Sequence, residues 1–194
     1  MNGLRIAIAD DEARMRDYLW SSLERLGHQV VAAAKTGQEL LLECREKRPQ
    51  LIITDIKMPD MDGLEAAAEI CRERAVPFVI LSAYHDPEFV ERALKQQVLA
   101  YLVKPLKDQS LKTAIQLAMR RFQEFQALQQ QSADLRQALE DRKIVERAKG
   151  ILMTRAELSE PDAFRRLQLL SSQKNKKMIE IARTIVEAEE ALKL

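Results

Sequence analysis

The sequence predicts an α/β N-terminal domain with a five-stranded, parallel, doubly wound sheet, followed by a long helix or coiled coil and a small three-helix domain. Short apolar runs alternate with amphipathic patterns up to residue 108. Five of the six prolines and four of the five glycines lie at or before Pro105, and neither residue occurs between Pro105 and Gly150. The first part therefore turns often, whereas the second can form long helices. The predicted domains are residues 1–108, 109–134 and 135–194.

The N-terminal part alternates strands and helices five times. Its apolar runs are rich in Ile, Val and Leu, as buried strands are, and they cover Leu4–Ala9, Val30–Ala33, Leu51–Thr54, Phe78–Leu81 and Tyr101–Val103. Apolar residues between the runs repeat at helical spacing, in segments that include Met15–Leu26, Leu40–Cys44, Leu64–Cys71 and Phe89–Leu94. This alternation predicts a parallel sheet covered on both faces. Ligands of such sheets bind beyond the carboxyl ends of the strands.

A heptad-like apolar seam follows from residue 111 to residue 139, with one extra step of three that is typical of a stammer. Its members are Leu111, Ile115, Ala118, Phe122, Phe125, Leu128, Ser132, Leu135 and Leu139. Two structures would bury this seam, a parallel coiled-coil homodimer through residues 110–140 or a helix packed within its own chain. The spacing favours the dimer, although three consecutive glutamines at 129–131 weaken it.

The C-terminal 60 residues predict three helices. Ser159 followed by Pro161 and Asp162 is typical of a helix N-terminus, and a third helix follows the polar turn at 174–177. Gly150 lies inside a helical pattern, which indicates close approach by another backbone or helix. We expect Phe164 to belong to the core.

Charge and composition exclude several classes of protein. The net charge of +1 divides into −3 for residues 1–108 and +4 for residues 109–194, and residues 142–183 carry 11 basic and 5 acidic side chains. A basic half is a hint of nucleic acid binding. Two cysteines cannot form a disulfide scaffold, no apolar run is long enough for a membrane span, and the N-terminus lacks the pattern of a signal peptide. We expect a cytoplasmic protein.

Polar residues follow the predicted strands at the points where they end. Asp10 and Asp11 end the first strand, Asp55 the third, Ser82 the fourth and Lys104 the fifth. Parallel strands bring these side chains to one edge of the sheet. Three neighbouring carboxylates repel one another unless a cation lies between them, and Mg²⁺ suits such an oxygen-lined site.

The arrangement is suited to receiving a phosphoryl group. Asp55 is the predicted nucleophile, and Lys104 and Ser82 are expected to contact the phosphoryl oxygens. The predicted Mg²⁺ ligands are Asp11, Asp55 and the main-chain carbonyl of Lys57, with Asp10 assisting.

Residues 4–108 resemble a response-regulator receiver domain. The resemblance depends on Ile8-Ala9-Asp10-Asp11-Glu12, Asp55-Ile56-Lys57-Met58-Pro59, Gly63, Ser82-Ala83 and Lys104-Pro105. It implies a flavodoxin-like strand order 2-1-3-4-5, a sensor histidine kinase as phosphoryl donor, and a cis bond before Pro105. It also implies that Tyr101 is the switch aromatic, whereas a plain core aromatic is the other interpretation.

One position departs from that family. Receivers often carry Gly-Ala before the fifth strand, where this chain has Gln97-Val98. We therefore expect the surface of the fourth helix of the domain to change conformation in a way that is unusual for the family.

Residues 135–190 resemble the ANTAR domain, an RNA-binding output module of transcription antiterminators. The resemblance depends on Ala148-Lys149-Gly150-Ile151-Leu152-Met153, Ala163-Phe164, Leu167, Asn175 and Ile181-Ala182. It implies binding of RNA stem-loops in nascent transcripts, which prevents formation of a terminator hairpin. The candidate RNA contacts are Arg142, Lys149, Lys174, Asn175, Lys176 and Lys177.

Two other outputs remain alternatives. A DNA-binding output would also be basic and helical, but no short Gly-containing turn precedes a basic recognition helix. An enzymatic output, such as a cyclase or phosphatase, is disfavoured because the C-terminal half has no histidine, no cysteine and a single glycine. It therefore lacks the residues for metal-dependent hydrolysis, thiol catalysis or a phosphate-binding loop. We expect no enzymatic activity beyond self-phosphorylation on Asp55 and slow autodephosphorylation.

Overall fold

The structure, a computed structural model, describes residues 3–82 and 98–191. Its five strands are β1 (Arg5–Ala9), β2 (Gln29–Ala34), β3 (Leu51–Asp55), β4 (Phe78–Ser82) and β5 (Val98–Val103). All pair in parallel in the order β2-β1-β3-β4-β5, which confirms the predicted sheet and its order. The predicted helix containing Phe89–Leu94 and the departure at Gln97 lie outside the described residues.

The helices in the described ranges are α1 (Ala13–Arg25), α2 (Gly37–Lys47), α3 (Gly63–Glu73), α4 (Asp108–Arg155), α5 (Glu160–Lys174) and α6 (Met178–Ala191). Local sequence fixes several of their ends. The Thr36 and Asp62 side chains cap α2 and α3, and Glu65 completes a capping box with Asp62. Ser159 caps α5 as expected, and Asn175 ends it in the left-handed conformation. None of these helices combines the length and apolarity needed to cross a membrane.

The chain divides into two compact units, residues 1–126 and 127–194. In the first, alternate residues of each strand face opposite sides of the sheet. Ile6 and Ile8 pack with α1 and the first turns of α4, whereas Ala7 and Ala9 pack with α2 and α3. Both faces of the sheet are therefore covered, as a doubly wound fold requires.

The apolar seam is divided between two environments. Its first members, Leu111, Ile115 and Ala118, are at most 2% exposed in the core of the first unit, so this part packs within its own chain. Leu128, Leu135 and Leu139 are 59–67% exposed. The linker helix and the first helix of the C-terminal part are moreover one continuous helix, α4.

The second unit consists of the C-terminal part of α4 with α5 and α6. Its core is Ala148, Leu167, Ile181, Ala182 and Val186, with Ile144, Val145, Ile151 and Leu152 packed against it. The C-terminal part of α4 therefore packs on α5 and α6 through its apolar residues.

A polar cluster joins α1 to the first residue of α4. Asp108 accepts hydrogen bonds from Arg25 (2.8 Å to Nη2), Ser22 (2.9 Å) and Tyr18 (3.1 Å). The hydrogen bond from Arg25, followed by those from Ser22 and Tyr18, lowers the pKa of the Asp108 carboxyl below its ordinary value of 3.8. A carboxylate in the first turn is also favoured by the helix dipole.

We expect Asp108→Asn to lower the free energy of unfolding near neutral pH, by an amount that shrinks in acid. Because the folded carboxyl has the lower pKa, its contribution is complete above pH 3.8 and is lost as the pH falls through the folded value. Urea unfolding of both proteins across a pH series measures this difference. A difference that stays constant into strong acid would contradict the assignment.

Candidate functional site

The predicted carboxylates meet at the carboxyl edge of the sheet. Asp10 and Asp11 directly follow β1, and Asp55 is the last residue of β3. One carboxylate oxygen from each of the three lies within 4.8 Å of the others. This proximity follows from parallel pairing of β1 with β3, which aligns the strand ends.

Lys104 extends between two of these carboxylates. Its Nζ donates to Asp10 Oδ2 at 2.8 Å and to Asp55 Oδ2 at 2.6 Å. Its backbone N–H donates to the Ser82 carbonyl at 2.8 Å, which links the ends of β5 and β4. Burial lowers the pKa of Lys104, but the hydrogen bonds to Asp10 and Asp55 outweigh it, so the net pKa lies above its ordinary value. The ammonium therefore remains charged, and the bond to Pro105 is cis, as the resemblance implied.

The three carboxylates have different environments. Asp10 is fully buried, and burial raises its pKa despite hydrogen bonds from Lys104 and the Glu12 N–H. Asp11 is exposed, and Asp55 is 9% exposed. Hard oxygen ligands with an open side suit Mg²⁺, which retains several waters and takes few protein ligands. The donor set therefore fits this ion.

The loop after Asp55 is held by close backbone packing. The Ile56 N–H donates to Asp55 Oδ1 at 2.6 Å, and the Gly63 N–H donates to the Ile56 carbonyl at 2.8 Å. A Cβ on Gly63 would lie 1.9 Å from the Asp55 carbonyl oxygen, so only glycine fits at the start of α3. Lys57, whose carbonyl is a predicted ligand, lies in this loop with its side chain exposed.

The two remaining predicted residues of this edge are Ser82 and Tyr101. Ser82 ends β4 and is 7% exposed. Tyr101 is half-buried on β5 and packs against Ile56, Leu64 and Ile80. Tyr101 therefore packs on the same apolar cluster that contains Ile56, the residue that directly follows Asp55.

Arg16 is a residue that the sequence reasoning missed. Its guanidinium donates to the backbone carbonyls of Asp10 at 2.7 Å and Asp11 at 3.1 Å. These hydrogen bonds fix the backbone of Asp10 and Asp11, the two residues that carry the carboxylates. A sequence signal was present, because a cation in the first turn of a helix is disfavoured by the helix dipole unless it has a partner.

The candidate RNA contacts fall into two groups in the second unit. Arg142 is exposed on α4. The other group lies where α5 ends and turns into α6: Lys174 is the last residue of α5, and Asn175, Lys176 and Lys177 form the turn, all four exposed. The structure thus places these five residues on the surface of the second unit.

The structure corrects the expected environment of Lys149. This residue is only 8% exposed, and its Nζ donates to Glu146 at 2.9 Å and to Glu160 at 2.8 Å. These hydrogen bonds, the one to Glu160 foremost, raise the pKa of Lys149. Its charge is engaged in joining α4 to α5, so it does not present a free cation to RNA.

Two further expectations for this unit are wrong. A Cβ on Gly150 would meet nothing within 4 Å, so no element of the described chain closely approaches this glycine. Phe164 is 39% exposed and is not part of the core. The exposure of Phe164 follows from the way α5 packs, since Ala163 and Leu167 face inward and leave Phe164 on the flank.

Comparison with known proteins agrees with this geometry. A family model for the response regulator receiver domain matches residues 6–116, and one for the ANTAR domain matches residues 133–186. The crystal structure of a DNA-binding response regulator of the LuxR family from Staphylococcus aureus is 27% identical and covers 58% of this chain and 96% of its own, with a TM-score of 0.56. The signal receiver domain of a modulated diguanylate cyclase from Desulfovibrio desulfuricans G20 is 25% identical and covers 63% and 98%, with a TM-score of 0.59.

One relative matches almost the whole chain. The transcriptional regulatory protein PdtaR of Mycobacterium tuberculosis is 42% identical over 183 residues, which cover 94% of this chain and 89% of the relative. The positive alginate biosynthesis regulatory protein of Pseudomonas aeruginosa is 35% identical, covering 60% of this chain and 48% of its own. A parallel five-stranded sheet with three carboxylates and a lysine at one edge defines a receiver domain. The chain belongs to the response regulators that carry an N-terminal receiver domain and a C-terminal ANTAR domain.

Proposed function

We propose that this response regulator accepts a phosphoryl group on Asp55 and, through its ANTAR domain, binds RNA stem-loops in nascent transcripts and prevents termination. The observation that carries the first part is the pair of hydrogen bonds from Lys104 to Asp10 and Asp55 beside the carboxylate cluster. The second part is supported by the ANTAR match over residues 133–186 and the basic surface of that segment.

Phosphoryl transfer from a sensor histidine kinase would proceed by attack of an Asp55 carboxylate oxygen on the phosphorus of the donor's phosphohistidine. The new O–P bond forms as the N–P bond breaks, and the histidine nitrogen leaves with the electron pair. Lys104 would form an ion pair with the oxygens of the transferred phosphoryl group. The Ser82 side chain, at the end of the neighbouring strand β4, would also contact these oxygens. Mg²⁺ held by Asp10, Asp11, Asp55 and the Lys57 carbonyl would neutralise charge on the phosphoryl oxygens.

RNA binding is proposed for the exposed basic residues of the second unit. Arg142, Lys174, Lys176 and Lys177 would neutralise stem phosphates, and Asn175 in the turn would add hydrogen bonds. A DNA-binding output is the second candidate, but neither turn between the described C-terminal helices, where α5, α6 and the end of α4 form one core, contains the glycine typical of a helix-turn-helix.

Competition binding separates the two candidates. RNAs with two hairpins and randomised loops would be enriched on the wild-type chain, and the enriched RNA would then be competed with duplex DNA over a salt series. We expect the RNA to be retained against excess duplex. Preference for duplex DNA, or failure of any RNA to enrich, would contradict RNA binding.

We also propose a parallel homodimer through the exposed part of the α4 seam. Replacing Phe122, which is half-buried, and Leu135, which is 67% exposed, by Glu should convert a dimer into monomers, because two charges would enter the seam that the dimer buries. Sedimentation equilibrium before and after phosphorylation measures the change. The matched control places Glu at Gln123 and Gln137, which lie off the seam and should leave the dimer intact. A wild-type monomer under both conditions would contradict the proposal.

A further inference from the structure

A cavity of about 350 Å³ opens in the first unit between the last turns of α2 and α3. Residues 48–50 lead from this cavity into β3, whose last residue is Asp55. The strand, roughly 13 Å between its first and last Cα atoms, therefore separates the cavity from the carboxylate site. Six residues line the cavity, namely Cys44, Arg45, Arg48, Ile70, Glu73 and Arg74.

The lining of the cavity has an excess of positive charge, since three arginines and one glutamate give a net charge of +2. Arg45 is engaged, because its Nε donates to Glu73 Oε1 at 2.9 Å and so pairs α2 with α3. Arg74 uses one donor, from Nη2 to the Pro49 carbonyl at 2.8 Å. A guanidinium has five N–H donors, so Arg74 retains the others for a further partner.

Arg48 contributes an unpaired guanidinium. Within residues 3–82 and 98–191, no carboxylate or carbonyl accepts a hydrogen bond from its exposed side chain. Its backbone has a φ of 49°, in the left-handed region, and its N–H donates to the Cys44 carbonyl at 3.1 Å to end α2. Glycine is the usual residue at such a position, because a Cβ is strained there. The chain therefore accepts backbone strain where an arginine faces the cavity.

The floor of the cavity is apolar and uncharged. Cys44 and Ile70 are each 4% exposed. Burial raises the pKa of the Cys44 thiol to about 12, although the charge of Arg74 opposes this rise, so the thiol is neutral at physiological pH. The cavity thus combines cations at its rim with an apolar surface beneath them.

We propose that this cavity binds a small organic phosphate, with the phosphate between Arg48 and Arg74 and the organic part on Cys44 and Ile70. A guanidinium fork can pair with two phosphate oxygens at once. A phosphate dianion also matches the net charge of +2, whereas a carboxylate would neutralise half of it. The volume is that of a small-molecule site. This binding is independent of the proposed phosphorylation of Asp55.

Isothermal titration calorimetry of the full-length chain with phenylphosphonate in mildly alkaline buffer tests the site. This probe combines a dianionic head with an apolar ring, and it cannot transfer a phosphoryl group to Asp55. We expect it to bind more tightly than inorganic phosphate, which lacks the ring, and than benzoate, which has a single charge.

Arg48→Gly should weaken the binding of phenylphosphonate about tenfold or more, through loss of the charged hydrogen bonds. The thermal unfolding midpoint of this variant without ligand should rise, because glycine relieves the left-handed backbone. These opposite changes of affinity and stability separate loss of contact from loss of fold. Glu73→Gln should bind several-fold more tightly, since it removes the competing carboxylate and frees Arg45.

The matched control is Arg72→Gln, which removes an exposed arginine of α3 outside the lining and should leave affinity unchanged. If Arg72→Gln weakens binding as much as Arg48→Gly, the attraction is one of general surface charge and the proposal is overturned. Undiminished binding by both Arg48→Gly and Arg74→Gln would overturn it as well, because the probe then lies elsewhere on the chain. Failure of wild type to bind phenylphosphonate at millimolar concentration would have the same consequence.

Discussion

Asp55→Asn is expected to remove nearly all phosphoryl labelling by acetyl phosphate and Mg²⁺, whereas the wild-type chain should gain one phosphoryl group. The amide that replaces the carboxylate is a poor nucleophile, and it also loses the charged contact with Lys104 at 2.6 Å. Intact-mass spectrometry after a fixed incubation measures the fraction labelled.

The matched control for this prediction is Asp17→Asn. Asp17 is an exposed carboxylate on α1 outside the cluster, so its loss should leave labelling unchanged. Removal of Mg²⁺ with a chelator should reduce wild-type labelling to the level of Asp55→Asn. Undiminished labelling of Asp55→Asn would show that another residue is the acceptor.

Gly63→Ala is expected to destabilise the receiver domain by about 3 kcal/mol or more, at the upper end of overpacking effects. The added Cβ would lie 1.9 Å from the Asp55 carbonyl oxygen and 2.9 Å from Thr54 Oγ1, and main-chain atoms cannot swing aside as a side chain can. The β3 end or the start of α3 must therefore move. Because Asp55 would move with it, labelling by acetyl phosphate should fall as well.

Gly150→Ala provides the contrast within the same chain. With open space at its Cβ, it should stabilise α4 by about 1 kcal/mol through helix propensity alone. Urea unfolding of Gly63→Ala, Gly150→Ala and wild type measures the change in the free energy of unfolding, which should be negative for Gly63→Ala and positive for Gly150→Ala. Equal stability of Gly63→Ala and wild type would contradict the close packing assigned to the loop after Asp55.

Much of the receiver domain could be predicted from sequence, because its strands and the polar residues beside them are marked by short local sequence patterns. Each buried strand is a short apolar run of β-branched and aliphatic residues, and four of the five (β1, β3, β4 and β5) end in or are followed by a polar residue that the chain cannot bury without a partner. Asp10, Asp55 and Lys104 could therefore be assigned to one site before any contact was known, since parallel strands of adjacent βαβ units end on the same edge. Arg16 was missed because its partners are backbone carbonyls, and its one sequence signal, a cation near the start of α1, does not identify those partners.

The helical half was predicted less completely because helical periodicity identifies a buried stripe but not what covers its flanks. Lys149 and Phe164 each lie beside such a stripe, and the packing of α5 against α4 decided that Lys149 is enclosed between two glutamates while Phe164 faces solvent. The seam shows the same limit, since its heptad-like spacing continues from Leu111 to Leu139 with one irregular step and does not indicate which part another element covers. By itself the sequence determined the strands and the shared edge of the acidic site, but not that the linker helix and the first helix of the C-terminal part form the single helix α4. Only the tertiary structure decided that Leu111, Ile115 and Ala118 are covered by the sheet while Leu128, Leu135 and Leu139 are left exposed, because burial depends on which surface the rest of the chain brings to each turn.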